Sequence, residues 1–242
     1  MAEDRHRLRE KVALITGASQ GIGLAIAHFL AQEGCDLVIT GRKESTLNKA
    51  AKELAKLRVR VLPVVCDVRD ERQVAELFAA VKKRFGRLDI LVNNAGVAHS
   101  NLPVARISLT EWNEVLETNL TGTFLVTRAA LPLLKRGGSI VNNLSVSAKR
   151  TFPGMSAYTA AKHGGLGFTK ALREELRPQG IRVIALLPGA TDTAIWDAFW
   201  AGAPRKRMMS AETVAQIVVN ALKLPQDSTV EELLIAPTTG AL

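Results

Sequence analysis

Short runs of β-branched and other apolar residues alternate with longer helical patterns along this 242-residue chain. Such runs, bounded by turn residues, predict strands that are buried on both faces of a sheet. We predict strands at 12–16, 37–40, 59–65, 89–93, 139–144 and 181–187, and a seventh in the final segment, 232–242. Because strands that alternate with helices form parallel sheets with right-handed crossovers, we expect a doubly wound α/β fold of three layers.

Apolar residues between these runs recur at the i, i+3, i+4 spacing of amphipathic helices. This spacing predicts helices around 22–30, 47–54 and 74–81, with further helices at 154–177 and 211–223. The length and a hydrophobic content of 47% suit one globular domain over residues 1–242, without repeats or linkers.

The balance of charge raises the question of a polyanionic partner. The chain has 32 Lys and Arg against 23 Asp and Glu, for a net charge of +9. The basic residues form short clusters: Arg5, Arg7, Arg9 and Lys11; Lys82, Lys83, Arg84 and Arg87; Arg205, Lys206 and Arg207. Since no nucleic-acid-binding module accompanies them, we favour solvated helix surfaces over a nucleic-acid site. A modest preference for anionic ligands remains the alternative.

The sequence also bears on membrane association, cysteine chemistry and metal binding. The charged first ten residues and the lack of an apolar run of eighteen residues argue against a secretory signal and a membrane span, so we expect a cytoplasmic protein. Cys35 and Cys66 lie beside predicted strands and are expected to be buried free thiols. We predict no metal site.

A glycine-rich segment, TGASQGIG at 16–23, follows the first strand and opens the first helix. A dinucleotide pyrophosphate needs backbone N–H donors, the positive end of a helix and no Cβ atoms in the way. The GxxxGxG spacing departs from the commoner GxGxxG pattern, and a purely structural turn is the alternative. The predicted cofactor contacts of this loop are Gly17, Ser19, Gln20, Gly21, Ile22 and Gly23.

The end of the second strand bears on the choice between NAD and NADP. Readers of NAD usually carry a carboxylate there for the ribose hydroxyls, and this chain has Arg42 and Lys43 instead. Arg42 can pair with a 2′-phosphate through two parallel hydrogen bonds, so NADP(H) is preferred and NAD(H) is the alternative. A structural alternative is that both residues simply begin the next helix in solvent.

Two further segments follow predicted strands on the cofactor side of the sheet. Asp67 is placed either to accept a hydrogen bond from the adenine amino group or to cap the helix that begins near Glu71. In the small-residue turn at 93–96, Asn94, Ala95 and Gly96 are predicted to contact the cofactor, although the asparagines could instead bond their own turn.

Tyr158 is the only tyrosine, and Lys162 follows it at i+4, so both side chains point to one helix face. A phenol with a pKa of about 10 exchanges protons poorly near neutrality, and a nearby ammonium is expected to lower that pKa. Such pairs also occur on solvated helices. Ser145, just past a strand, can hydrogen-bond a substrate oxygen. Asn119 lies within a predicted helix, where asparagine favours a functional or kinking role.

These motifs together resemble the short-chain dehydrogenase/reductase family over essentially the whole chain. They are TGASQGIG at 16–23, NNAG at 93–96, Asn119, Ser145, YTAAK at 158–162 and PGATDT at 188–193. The segment NNL before Ser145 departs from the usual pattern.

The resemblance implies a Rossmann-type sheet and an NAD(P)-dependent oxidoreductase acting on CH–OH or C=O groups. It implies Tyr158 as the catalytic acid/base, Lys162 on the nicotinamide ribose, Ser145 orienting the carbonyl and Asn119 completing a proton relay. The nicotinamide end would be held by Pro188, Gly189, Thr191 and Thr193. Homodimers or homotetramers would form through helices at about 110–134 and 154–177.

The segment at about 190–209 is expected to form a lid over a small-molecule carbonyl or alcohol substrate. Trp196, Phe199 and Trp200 give it large apolar area, which packs on the core, lines the site or forms an interface. If these rings line the site, they favour a hydrophobic substrate. His99 and Ser100 are further candidates for the border of the cleft. A cofactor-binding sensor or scaffold with little turnover is the alternative function.

Overall fold

The computed structural model describes residues 8–240 and contains one seven-stranded sheet within them. Arg5 and Arg7 of the first basic cluster, and the end of the predicted last strand, lie outside the described residues. The strands are β1 (Val12–Thr16), β2 (Asp36–Gly41), β3 (Val61–Val65), β4 (Leu88–Asn93), β5 (Leu134–Asn143), β6 (Arg182–Pro188) and β7 (Glu232–Ile235). Their order is β3-β2-β1-β4-β5-β6-β7, with every neighbouring pair parallel. The predicted doubly wound sheet is confirmed.

Helices cover both faces of this sheet. They are α1 (Gly21–Gln32), α2 (Glu44–Ala55), α3 (Glu71–Phe85), α4 (Leu109–Leu116), α5 (Gly122–Ala130), α6 (Ser156–Leu176), α7 (Ile195–Phe199) and α8 (Ala211–Leu222). The apolar sides of α1, α2 and α8 pack with Ala13 and Ile15 of β1, whereas α3, α5 and α6 pack with Val12 and Leu14. Successive β1 side chains therefore enter opposite cores, as the strand period of two requires.

The long helix expected at 110–134 is interrupted. A π-helical turn at Glu117–Thr121 separates α4 from α5, and β5 begins at Leu134, earlier than predicted. The Asn119 side-chain amide donates to the carbonyl oxygens of Val115 and Val97, at 2.9 and 2.8 Å. Because a side chain here takes a carbonyl that the helix backbone would otherwise use, Asn119 accounts for the local widening.

A buried polar network fixes α6 against the sheet. Asn93 on β4 donates to Asn142 Oδ1 on β5, and Asn142 donates in turn to Thr169 Oγ1 on α6. Asn142 and Thr169 are fully buried. Since losing one partner would leave a buried amide unsatisfied, this network specifies the position of α6 along the strands.

The structure also bears on the cysteines, on membrane-spanning helices and on metal-ligand clusters. Cys35 and Cys66 are both buried free thiols, and burial raises the pKa of Cys35 to about 12 and that of Cys66 to about 11. No helix between residues 8 and 240 is long and apolar enough to cross a bilayer. In the same part of the chain, no three His, Cys, Asp or Glu side chains are grouped as metal ligands would be.

Candidate active site

A cleft of about 450 Å³ lies beyond the carboxyl ends of β1, β4, β5 and β6. The strand order reverses between β1 and β4, the position where open α/β sheets bind their ligands. Most of the predicted site residues line this cleft: Gly17, Gln20, Gly21, Ile22, Arg42, Asp67, Asn94, Ala95, Gly96, Ser145, Tyr158, Lys162, Pro188, Gly189, Thr191 and Thr193. Ser19, Gly23 and Asn119 are not part of this lining.

The backbone of the loop after β1 requires its glycines. Gly17 and Gly21 have φ values of +63° and +57°, a left-handed conformation that other residues adopt at a cost. A Cβ atom added at Gly23 would lie 2.5 Å from the carbonyl oxygen of Gly17. One added at Gly41 would meet Ser19 Oγ at 3.4 Å, so Ser19 faces the end of β2.

Asn94 braces this glycine loop. Its side-chain amide donates to the carbonyl oxygens of Thr16 and Gly17, at 2.9 and 3.1 Å, and Asn143 donates to its Oδ1 at 2.8 Å. Asn93 instead belongs to the buried network under α6. The idea that these asparagines bond their own turn is therefore wrong, because their partners lie on other elements.

At the far end of the cleft, the Arg42 side chain is 55% exposed and lies 3.8 Å from the carboxylate of Glu114. Helix α2 begins at Glu44, with Lys43 at its N-cap position without a side-chain cap bond. The Arg42 guanidinium is therefore available at the end of β2, since an exposed pair at this distance is weak.

Asp67 does not cap α3. The cap is Asp70, whose carboxylate accepts hydrogen bonds from the backbone amides of Arg72 and Gln73. Asp67 pairs with the Arg69 guanidinium, which is the main cause that lowers its pKa. The capping interpretation of Asp67 is wrong because α3 begins at Glu71 and the residue directly before it, Asp70, holds the N-cap position. Asp67 lines the cleft.

Tyr158, Ser145 and Lys162 meet at the floor of the cleft. The Ser145 side chain is close enough to the Tyr158 hydroxyl to act on its pKa, and only 9% of the tyrosine is exposed. Lys162 Nζ donates to the carbonyl oxygen of Asn143 at 3.1 Å and lies 5.3 Å from the centre of the Tyr158 ring. The segment that follows β5 and the first turns of α6 thus hold the three groups together.

Asn119 lies behind this group. A methyl group added at Gly96 would be 2.7 Å from Asn119 Oδ1 and 3.7 Å from Lys162 Nζ, so the two polar side chains approach each other across Gly96. Asn119 Oδ1 is buried and has no hydrogen-bond partner among residues 8–240. A buried acceptor of this kind calls for a donor such as water.

Burial dominates the ionisation of the pair. It raises the pKa of Tyr158 to about 12, with the Ser145 hydrogen bond opposing it, and lowers the pKa of Lys162 to about 8. The prediction that the ammonium lowers the phenol pKa is wrong for the protein alone. The reason is that loss of water disfavours the charged form of both groups, and Lys162 faces the ring and the Asn143 carbonyl.

The segment 190–209 covers one side of the cleft and is closed at its base. The backbone amide of Met209 donates to the carbonyl of Ala190, and that of Asp192 donates to the carbonyl of Met209. Between them, Arg205 donates to Asp192 Oδ1 at 3.0 Å, to the Thr193 carbonyl at 2.6 Å and to Asp197 Oδ1 at 2.6 Å. Arg205 therefore ties α7 to the turn after β6.

The aromatic residues of this segment serve two of the predicted roles. Trp196, Phe199 and Trp200 all line the cleft, and Trp196 contacts both other rings edge to face. Phe199 also packs on the apolar cluster that contains Tyr158. The packing and lining alternatives are thus both met.

Some of the residues that line the cleft were not predicted from the sequence. Asn101, Asn143, Arg150, Phe152 and Met155 line the cleft, and three of them fall between Ser145 and Tyr158, where the spacing could have suggested them. His99 and Ser100 are not in the lining. His99 is buried, with its Nδ1 2.6 Å from the carbonyl oxygen of Ser100.

Comparison with known proteins identifies the class. Residues 11–203 match the family model described as short chain dehydrogenase. Sulfoacetaldehyde reductase 2 of Chromohalobacter salexigens is 36% identical, over 95% of both proteins. The chain therefore belongs to the short-chain dehydrogenase family and is an NAD(P)-dependent oxidoreductase.

Solved structures agree with this assignment. The alcohol dehydrogenase of the archaeon Thermococcus sibiricus, complexed with 5-hydroxy-NADP, superposes with a TM-score of 0.89 at 34% identity, covering 95% of this chain and 97% of that one. A short chain dehydrogenase of Burkholderia cenocepacia in complex with NADP gives 0.87 at 32% identity, with the same coverage of each chain.

Replacing Arg205 by alanine tests the contacts of the segment 190–209. We expect faster hydrogen exchange at the amides of Asp192 and Trp200, because three polar contacts that hold α7 to the turn are lost, while the free energy of global unfolding changes little. Arg207→Ala is the matched control, since Arg207 makes only a 3.5 Å contact with the Thr239 carbonyl. Equal exchange in both variants would show that Arg205 does not hold the segment.

Proposed function

We propose that the protein transfers hydride between NADP(H) and a small-molecule carbonyl or alcohol, with Tyr158 as the acid/base. The observation that carries this proposal is the cluster of Ser145, Tyr158 and Lys162 on the floor of a cleft whose other end is a glycine loop. A glycine loop with an apolar floor would serve binding alone, whereas a buried phenol beside a serine and a lysine also serves proton transfer.

The residues of the cleft fit a dinucleotide. A side chain at Gly17, Gly21 or Gly23 would occupy or strain the backbone that faces the start of α1, where pyrophosphate binds. The exposed Arg42 guanidinium lies at the end of β2, and no carboxylate on β2 after Asp36 would repel a 2′-phosphate. Two of the similar solved structures hold NADP or a derivative of it.

When bound, NADPH supplies a hydride to the carbonyl carbon. We assign the proton to the Tyr158 hydroxyl, which burial keeps protonated over the neutral range and which can donate it to the developing alkoxide. Ser145 orients the substrate oxygen beside that hydroxyl, and Lys162 supplies positive charge next to the ring. Asn119 Oδ1, close to Lys162 across Gly96, would hold a water that returns the proton.

The surrounding elements have proposed roles of their own. We assign the nicotinamide end to Pro188, Gly189, Thr191 and Thr193, which line the cleft beside α7, and the adenine to Asp67. Residues 190–209 would act as the lid, and the chain would work as one catalytic domain.

We also propose assembly as a homodimer or homotetramer through α5 and α6. On these helices Phe124 and Phe168 stack edge to face with ring centres 6.3 Å apart, and Phe124 is 42% exposed. An exposed aromatic side chain on a helix face suits a contact with a second copy.

A cofactor-binding sensor with little turnover is the second candidate. It would need the glycine loop but not a buried phenol beside Ser145 and Lys162, because burying these polar groups has a cost that binding alone does not require. Consumption of NADPH across a broad panel of aldehydes and ketones separates the two functions.

Replacing Tyr158 by phenylalanine tests the proton-transfer role. We expect turnover to fall by about 10²-fold or more, the usual contribution of a positioned general acid, because only the hydroxyl is removed. The affinity for NADPH, measured by fluorescence titration, should stay close to that of the unaltered protein. Near-normal turnover in the variant would remove Tyr158 from the reaction.

Replacing Arg42 by alanine tests the coenzyme preference. Loss of a charge-assisted pair with the 2′-phosphate should weaken NADPH binding by about tenfold or more while leaving NADH binding nearly unchanged. Lys43→Ala, which removes the same charge from the next residue, should have a smaller effect. If Arg42→Ala weakened both coenzymes equally, the phosphate contact would be wrong.

A further inference from the structure

The end of the cleft beyond Tyr158 has apolar walls. Phe152, Met155, Trp196, Phe199 and Trp200 line it. Met155 belongs to the same buried apolar cluster as Tyr158, and Phe152 and Phe199 pack against that cluster. A substrate whose carbonyl group reaches Tyr158 would therefore place its body among aromatic rings.

The charges that line the cleft are unevenly placed. Within residues 8–240 they are Arg42, Asp67, Arg150 and Lys162. Arg42 and Asp67 follow β2 and β3 at the adenosine end, and Lys162 is buried below Tyr158. Arg150 lies two residues before Phe152, and Asp67, after β3, is the only carboxylate among the described residues of the lining.

The backbone of Arg150 is hydrogen-bonded, whereas, within the described part of the chain, its guanidinium is not. Its amide donates to the carbonyl of Val146 at 2.9 Å, which fixes its position one turn after Ser145. Among residues 8–240, its guanidinium makes no ion pair or side-chain hydrogen bond. The adjacent Lys149, by contrast, is paired with Glu232. Arg150 is therefore an exposed cation at the wall of the cleft, without a side-chain partner among residues 8–240.

We propose that Arg150 binds an acidic group of the substrate, so that the protein acts on an amphipathic carbonyl compound with an aromatic or aliphatic body and a carboxylate or similar oxyanion. This inference rests on the proposed function and specifies its substrate class. A guanidinium pairs with an oxyanion through two parallel hydrogen bonds, and the exposed position of Arg150 at the cleft wall leaves its guanidinium accessible to an incoming ligand. The substrate would span from Tyr158 at its carbonyl to Arg150 at its acid.

Two aldehydes of the same shape test the charge requirement, 4-formylbenzoate and 4-formylbenzamide. With saturating NADPH, we expect kcat/KM to favour the carboxylate by about tenfold or more, a difference worth about 1.4 kcal/mol of transition-state binding. In Arg150→Ala the ratio should fall to about one, and Arg150→Lys should restore part of it. Arg72→Ala is the matched control, because it removes an equal charge from the exposed surface of α3 and should leave the ratio unchanged.

Binding of unreactive analogues separates this inference from the proposed function. The quenching of fluorescence from Trp196 and Trp200 would report the affinity for 4-methylbenzoate and 4-methylbenzamide in the presence of NADP+. Tighter binding of the carboxylate that is lost in Arg150→Ala supports the inference even if neither aldehyde is reduced, a result that would contradict the proposed function alone. Equal binding of acid and amide, or a preference that survives in Arg150→Ala, would overturn the inference.

Discussion

The burial of Lys162 beside Tyr158 is the constraint on which the rest of the site depends. An ammonium taken from water needs compensation, and the Asn143 carbonyl at the end of β5 provides one hydrogen bond. The position of Lys162 relative to β5 depends on α6, and the hydrogen bond between Asn142 and Thr169 holds α6 in place. The π-helical turn at 117–121 brings Asn119 toward the same lysine.

The same burial sets the protonation states of the two groups. With the pKa of Tyr158 raised and that of Lys162 lowered, the phenol is protonated throughout the neutral range and the lysine loses its proton as the pH rises through about 8. Folding therefore opposes protonation of Lys162. The free energy of unfolding should increase as the pH rises from about 8 toward 10.5, the ordinary pKa of lysine, because in this range the unfolded chain binds the proton that the folded protein has lost. A protonated phenol near an ammonium is suited to donate a proton during carbonyl reduction.

Sequence patterns predicted those features that depend on neighbouring residues. The apolar runs placed all seven strands, and the glycines of 16–23 predicted a turn whose backbone does require them. Contacts between distant segments were not predictable in this way. The partners of Asn94, the cap at Asp70 instead of Asp67, and the pairing of Arg205 depend on how elements meet after folding. The pKa of Tyr158 was mispredicted because a spacing of four residues says nothing about exclusion of water.

The ionisation of Lys162 in the intact protein tests the central claim, that burial tunes the proposed catalytic pair of Tyr158 and Lys162. Lysine side chains labelled with ¹³C at Cε can be followed by NMR as the pH is raised, with Lys162→Met identifying the signal of Lys162. The account predicts one lysine signal that titrates near pH 8 and is absent from the variant, well below 10.5, the ordinary lysine pKa. If Lys162 titrated together with the exposed lysines, the claim would be contradicted.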